Sequence, residues 1–230
     1  MIRTLILAAG VSLALAAPSH AAVNLVSNGS FESGLAGWTI GGTDAQGFPP
    51  VAITYGAAAA YPVGAFGEAV PANNAATNSP DAVGEHAAYF VTDLATNQSL
   101  SQTVFLTAGV YQIGFSAYAP ANGYNNPVEA FFSGTIADSV LANYAVSTGP
   151  VTTWQTFSGS KTITTAGNYL VSFVFNTSAF PAKDVVIDQV YIIAGNPPVP
   201  GVPEASTWAL LIAGFGMVGF AARRRTLALI

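Results

Sequence analysis

The sequence predicts an all-β fold, one antiparallel β-sandwich, with an apolar address segment at either end. Three observations lead there. In the middle of the chain, hydrophobic side chains recur with period two: Tyr111, Ile113, Phe115 and Ala117 alternate with Gln112, Gly114 and Ser116, and Tyr169, Val171, Phe173 and Phe175 alternate with Leu170, Ser172 and Val174. That is the pattern of half-buried antiparallel strands. Turn chemistry punctuates these runs, as in Thr107-Ala108-Gly109 and Thr165-Ala166-Gly167-Asn168. Finally, no segment between Val23 and Gly195 carries a capped helical stripe, so a doubly wound βαβ sheet is excluded.

Composition narrows the function classes. The 230 residues include no cysteine, 51% hydrophobic residues and only 7% charged ones, against about 25% charged in ordinary soluble domains. A coiled coil, a charge-rich disordered tail and a nucleic-acid binder all need more charge than this. The formal net charge is −5, but it is unevenly placed. Of the basic residues only Lys161 and Lys183 lie between Ala22 and Pro203, whereas every acidic residue except Glu204 lies there. The middle is therefore clearly acidic, and without cysteine its stability has to come from packing.

In chain order, residues 1–21 read as a secretory signal peptide. Arg3 supplies a positive start, the apolar run 5–17 is too short to span a bilayer, and Pro18-Ser19-His20-Ala21 places small residues at the −3 and −1 positions of a cut. Residues 22–195 form the sandwich domain, with strand-like runs at 24–32, 51–55, 87–91, 100–106, 111–118, 128–134, 153–164, 169–175 and 184–193. The interval 56–84, rich in Ala, Gly, Pro and Asn, is the least strand-like part, and long intervals of this kind are either functional or disordered. A proline-rich linker, 196–202, leads to a C-terminal segment, 203–225, followed by a short tail, 226–230. The uncharged stretch 205–222 makes about 27 Å of helix at about 1.5 Å per residue, close to the ~30 Å hydrocarbon core. It is expected to form a single transmembrane helix that engages the membrane at least transiently, with Arg223, Arg224 and Arg225 stopping on the cytoplasmic side.

The residues of that segment carry a resemblance. Pro203, Glu204, Trp208 and Ala209, then the apolar stretch, then Arg223, Arg224 and Arg225, resemble the PEP-CTERM sorting signal in its PEPxxWA form, with Ala205 where the second proline would stand. The resemblance implies an exported Gram-negative protein that an exosortase handles at the inner membrane. Its expected destination is the cell surface, outer membrane or extracellular matrix, often in bacteria that make exopolysaccharide or biofilm.

A second resemblance lies in the domain. Asn24-Leu25-Val26-Ser27-Asn28-Gly29-Ser30-Phe31-Glu32 followed by Trp38, together with Leu100-Ser101-Gln102-Thr103, Trp154-Gln155-Thr156-Phe157 and Ile187-Asp188-Gln189-Val190, is similar to galactose-binding-like jelly rolls. This is the fold of many carbohydrate-binding modules. In them the Glu of the first segment and the Asp of the last strand help hold a structural calcium (Ca2+), which implies that role for Glu32 and Asp188. The residues alone point the same way: Asp188 shares strand parity with Val186, Val190 and Ile192, and a carboxylate on such a face has to be paired or metal-bound. Hydrogen bonds to backbone amides, or a pair with Lys183 or Lys161, are the alternatives.

Glycan sites combine an apolar stacking face with a few orienting polar groups. The candidate cluster is Tyr118, Tyr124, Asn125 and Asn126, with Tyr55, Tyr61 and Trp154 as further aromatics. No catalytic set is evident. His86 is the only histidine after the signal segment, and 114–118 lacks the last glycine of a nucleophile elbow. The expected function is non-catalytic association with extracellular polysaccharide. A structural matrix or adhesin role is the alternative, and a polysaccharide-acting enzyme the third.

Overall fold

A computed structural model describes residues 22–58, 60–121 and 125–195 and the single positions 213 and 215. Among the described residues ten strands form two five-stranded sheets: β1 (Thr39–Asp44), β2 (Val51–Thr54), β3 (His86–Phe90), β4 (Ala95–Leu106), β5 (Gly109–Tyr118), β6 (Phe131–Ile136), β7 (Ser139–Ala145), β8 (Gln155–Ile163), β9 (Gly167–Asn176) and β10 (Val185–Ala194). One sheet has the order β1-β4-β9-β6-β7 and the other β2-β3-β10-β5-β8. Neighbours in both sheets run antiparallel.

The period-two runs become the inner faces. Ile113, Phe115 and Ala117 of β5 meet Val171, Phe173 and Phe175 of β9 in one core with Phe90, Leu100 and Phe132. Phe115 and Phe173 meet edge to face at 4.9 Å. Burying such side chains is worth about 1.5–3 kcal/mol each. Gly134 makes this contact possible, because a Cβ there would lie 2.5 Å from the Phe115 ring.

A second, smaller core lies on the outer face of the β10 sheet. Ile53, Ala87, Tyr89, Tyr118, Trp154 and Val186 are covered by Ala65 and Val70 from the interval 56–84. That interval is a fitted cover. Trp154 Nε1 donates to Pro71 O at 2.8 Å, Gln189 Nε2 to Ala82 O at 2.9 Å, and Gly56 N to Val70 O at 2.8 Å. As a result β10 is buried on both faces along Val185–Ile193, which explains its almost continuous apolar run.

Several expectations need correction. Residues 24–32 form no strand. Asn28 and Phe31 take positive φ (51° and 59°), and Phe31 N donates to Asn28 O, Gly34 N to Phe31 O. The Asn28 side chain accepts from Ser33 N and donates to Gly34 O and Ala36 O, so local Asx turn chemistry overrides the apolar alternation. The segment still lies along β10, through Leu25 N to Ile192 O and Val190 N to Gly29 O. The first strand is β1, which the sequence did not announce, and β7 is likewise additional. β6 starts at Phe131, three residues later than expected.

The parity assigned to Asp188 holds for Val186 and fails for Val190 and Ile192. β10 shifts register between Asp188 and Tyr191, with Gln189 at φ 53°. The bulge turns Val190 and Ile192 to the main core, while Val186 belongs to the outer one. Asp188 therefore faces the cover. The signal segment 1–21, the sorting residues Pro203, Glu204, Trp208, Ala209, Arg223, Arg224 and Arg225, and the expected transmembrane stretch lie outside the described residues, apart from 213 and 215. Among the described residues no helix is long and apolar enough to cross a membrane.

Candidate functional site

Two places gather polar chemistry. The first is under the cover. The Asp188 carboxylate is fully buried; its Oδ2 accepts from Tyr55 Oη at 2.7 Å and from Asn73 Nδ2 at 3.2 Å. Its Oδ1 has no hydrogen-bond partner among the described residues. Burial pushes its pKa up to about 7 against the pull of Tyr55, and the charge of Glu32 adds to the rise. Burial and the facing Asp188 likewise raise the Tyr55 phenol.

Glu32 lies nearer the surface, in the turn before β1. Its carboxylate accepts from Glu85 N and His86 N at 2.8–3.0 Å and pairs with His86 Nδ1 at 3.4 Å. Although burial opposes it, these backbone and His86 contacts win and lower its pKa. Gly84 closes over the group, since a Cβ there would fall 2.1 Å from the carboxyl carbon. Neither Lys183 nor Lys161 reaches Asp188. Lys183 Nζ instead donates to Asn126 O at 2.9 Å. Among the described residues no three His, Cys, Asp or Glu side chains come together as a metal cluster. A cation between Glu32 and Asp188 would need backbone oxygens as well.

The second place is a cavity of about 240 Å³ lined by Phe48, Phe66, Val91, Asp93, Asn126, Pro181 and Asp184. Its walls come from the connections β1–β2, β2–β3, β3–β4, β5–β6 and β9–β10. Phe48 is held by Gln98 Nε2 donating to its carbonyl at 3.1 Å. Phe48 and Phe66 meet at 82° with centroids 6.0 Å apart, and Tyr61 stacks behind Phe66 at 6.0 Å.

Asp93 ties the loops together. It accepts from Ala182 N at 2.6 Å and from Gln46 Nε2 at 3.0 Å, and its own N donates to Gln46 Oε1 at 2.7 Å. Asp184 is 3% exposed and accepts from Tyr89 Oη at 2.5 Å. Burial first, then the charge of Asp93, pushes its pKa up to about 8 against the Tyr89 hydrogen bond. An aromatic wall beside fixed carboxylates and an amide can hold a small polar ligand by one face and orient it by its edges.

The expected ligand cluster is only partly assembled here. Asn126 lines the cavity, with Nδ2 donating to Ala182 O. Asn125 is exposed and is not part of the lining. Tyr118 is 2% exposed, packs on Trp154 at 5.3 Å and donates to Glu68 Oε1 at 2.5 Å, so it offers no stacking face to solvent. Tyr124 lies outside the described residues. Sequence reading missed Phe48, Phe66, Asp93 and Asp184. The signals were faint: an aromatic before Pro49-Pro50, and an acid opening the apolar run of β10.

The other end of the chain gives the clearest comparison with known proteins. Residues 201–225 match the PEP-CTERM protein-sorting motif. The PEP-CTERM segment implies exosortase processing, export, and a cell-surface or extracellular location. Comparison with curated proteins finds no match. Among solved structures the chain is similar to TmCBM61 in complex with beta-1,4-galactotriose, at 20% identity and TM-score 0.47, covering 75% of this chain and 99% of that one. It is also similar to the CBM22-1 xylan-binding domain of Paenibacillus barcinonensis Xyn10C (14% identity, TM-score 0.43, 78% and 99% covered). A cyclase from Fischerella sp. TAU is similar too (15% identity, TM-score 0.44, 78% and 100% covered).

Proposed function

We propose that this PEP-CTERM protein is exported through its N-terminal signal peptide and retained at the cell surface or in the extracellular matrix, where its sandwich binds a glycan without catalysis. The observation that carries this reading is the cavity, where Phe48 and Phe66 form an apolar corner against Asp93, Asn126 and Asp184. Such a corner can stack on the apolar face of one sugar ring while the polar edge takes its hydroxyls. Sorting to the surface puts the cavity where exopolysaccharide is met.

Titration of the purified protein with galacto-, xylo-, gluco- and amino-oligosaccharides tests this. Saturable binding that Phe66→Ala removes supports it, and no binding to any member favours a purely structural matrix role. An oligosaccharide shortened during the titration points to the enzyme.

A structural calcium between Glu32 and Asp188 is part of the proposal. The buried, unpartnered Asp188 Oδ1 is the kind of acceptor a hard cation satisfies. The ion would fasten the segment before β1 to the last strand and take no part in chemistry.

A further inference from the structure

The lining of the cavity is formally negative. Among the described residues it holds Asp93 and Asp184 and no basic side chain. Lys183, next to Asp184 in sequence, is 8% exposed and gives its ammonium to the Asn126 carbonyl, where it acts on Glu129. The side chains that face the cavity are rich in acceptors. Asn126 gives one of its two Nδ2 hydrogens to Ala182 O, and its Oδ1 stands as an acceptor. Asp184, 3% exposed, receives Tyr89 Oη on Oδ2 and has no donor on Oδ1 among the described residues, so a bound cation would displace the proton that burial holds on this carboxyl. Beside these acceptors stand the rings of Phe48 and Phe66, nearly perpendicular to each other. Their faces carry the negative side of the ring quadrupole, which attracts a cation within about 6 Å.

Carboxylates, an amide oxygen and aromatic faces without a competing cation call for a ligand group that is all donor and positively charged. A primary ammonium has three donors and no acceptor. An N-acetyl group has one donor and no charge, so it forms no charge-assisted bond here, and a uronic carboxylate would meet Asp93 as a like charge. At about 240 Å³ the cavity lies below the ~300–1,000 Å³ of drug-sized sites, so it admits about one sugar ring. We infer that the cavity selects an amino sugar with a free, protonated amine, so that the glycan bound is a de-N-acetylated, cationic polysaccharide. This rests on the glycan-binding reading and names its ligand class.

The test is calorimetric titration of the full chain with four probes at one ionic strength: glucosamine hexamer, N-acetylglucosamine hexamer, a neutral galacto-oligosaccharide and pentalysine. The glucosamine hexamer should bind at least about tenfold tighter than its acetylated form, the range of one charge-assisted hydrogen bond. Asp184→Asn keeps an acceptor for Tyr89 and should bring that ratio to about one. Glu85→Gln, which removes one exposed charge outside the cavity, should leave it unchanged. Phe66→Ala should weaken the glucosamine hexamer whether or not Asp184→Asn folds.

Equal losses in Glu85→Gln and Asp184→Asn would mean general charge attraction and would overturn the inference. So would pentalysine binding as tightly as the hexamer with the same dependence on Asp184. Binding of the acetylated or neutral probe at least as tight, and still lost in Phe66→Ala, would overturn the amine selection while leaving the glycan reading intact. If no sugar binds, both fail.

Discussion

Asp184 allows a sharp test of the physical picture of the cavity through stability alone. Its pKa is raised from 3.8 to about 8, chiefly by burial. The folded state therefore holds the proton more tightly than the unfolded chain. The stability this group contributes is fully present below 3.8 and is lost as pH rises through about 8. Asp184→Asn replaces the carboxyl by a group that does not titrate, so the stability of the variant relative to the parent should climb with pH. At about 1.36 kcal/mol per pH unit per proton, the gain between about pH 5 and about pH 7.5 is about 3 kcal/mol. Urea unfolding of both proteins across that range, without glycan, measures it. A difference that stays flat, or one that runs the other way, would refute a buried, proton-holding Asp184.

Other outcomes follow from the packing and from the second polar site. Gly134→Ala should cost about 1–3 kcal/mol, read by thermal unfolding, because the new Cβ would sit 2.5 Å from the Phe115 ring between two filled layers. Phe173→Ala, at a fully buried position among Phe115, Phe132 and Trp38, should cost about 3–5 kcal/mol in the same assay. Trp154→Phe removes the indole bond to Pro71 O, so limited proteolysis should cut faster within 56–84 while the main core holds its melting temperature. With calcium at about 100 times its dissociation constant the melting free energy should rise by about 2.7 kcal/mol, and a chelator should reverse it. An unchanged melting temperature in both conditions would remove the ion from the account.

The two-layer antiparallel design was legible because β5 and β9 carry unbroken period-two alternation, and that signal survives any detail of the loops. The bulge at Gln189 was not, because a single left-handed residue leaves no trace in an apolar run, yet it decides which face Asp188 serves. β1 was hidden for a related reason: Thr39-Ile40-Gly41-Gly42-Thr43-Asp44 is polar, glycine-rich and largely exposed, an edge strand with little to bury. The interval 56–84 looked structureless because its order comes from long-range bonds to Trp154, Tyr89 and Gln189, which local sequence cannot display. The candidate site suffered most. Asn126, one of the expected cluster, lines the cavity, but the other lining residues come together only when separate connections converge there, and Tyr118, a member of the same expected cluster, is turned under the cover.

On the reading proposed above, the cavity walled by Phe48 and Phe66 is a glycan site. That reading is tested most directly by titrating the oligosaccharide panel into the parent protein and Phe66→Ala under identical conditions. At least one oligosaccharide should bind saturably and be recovered at its original length, and that binding should be lost in a variant that melts within about 1 kcal/mol of the parent. Binding that persists undiminished in Phe66→Ala, or no binding to any oligosaccharide, would contradict it.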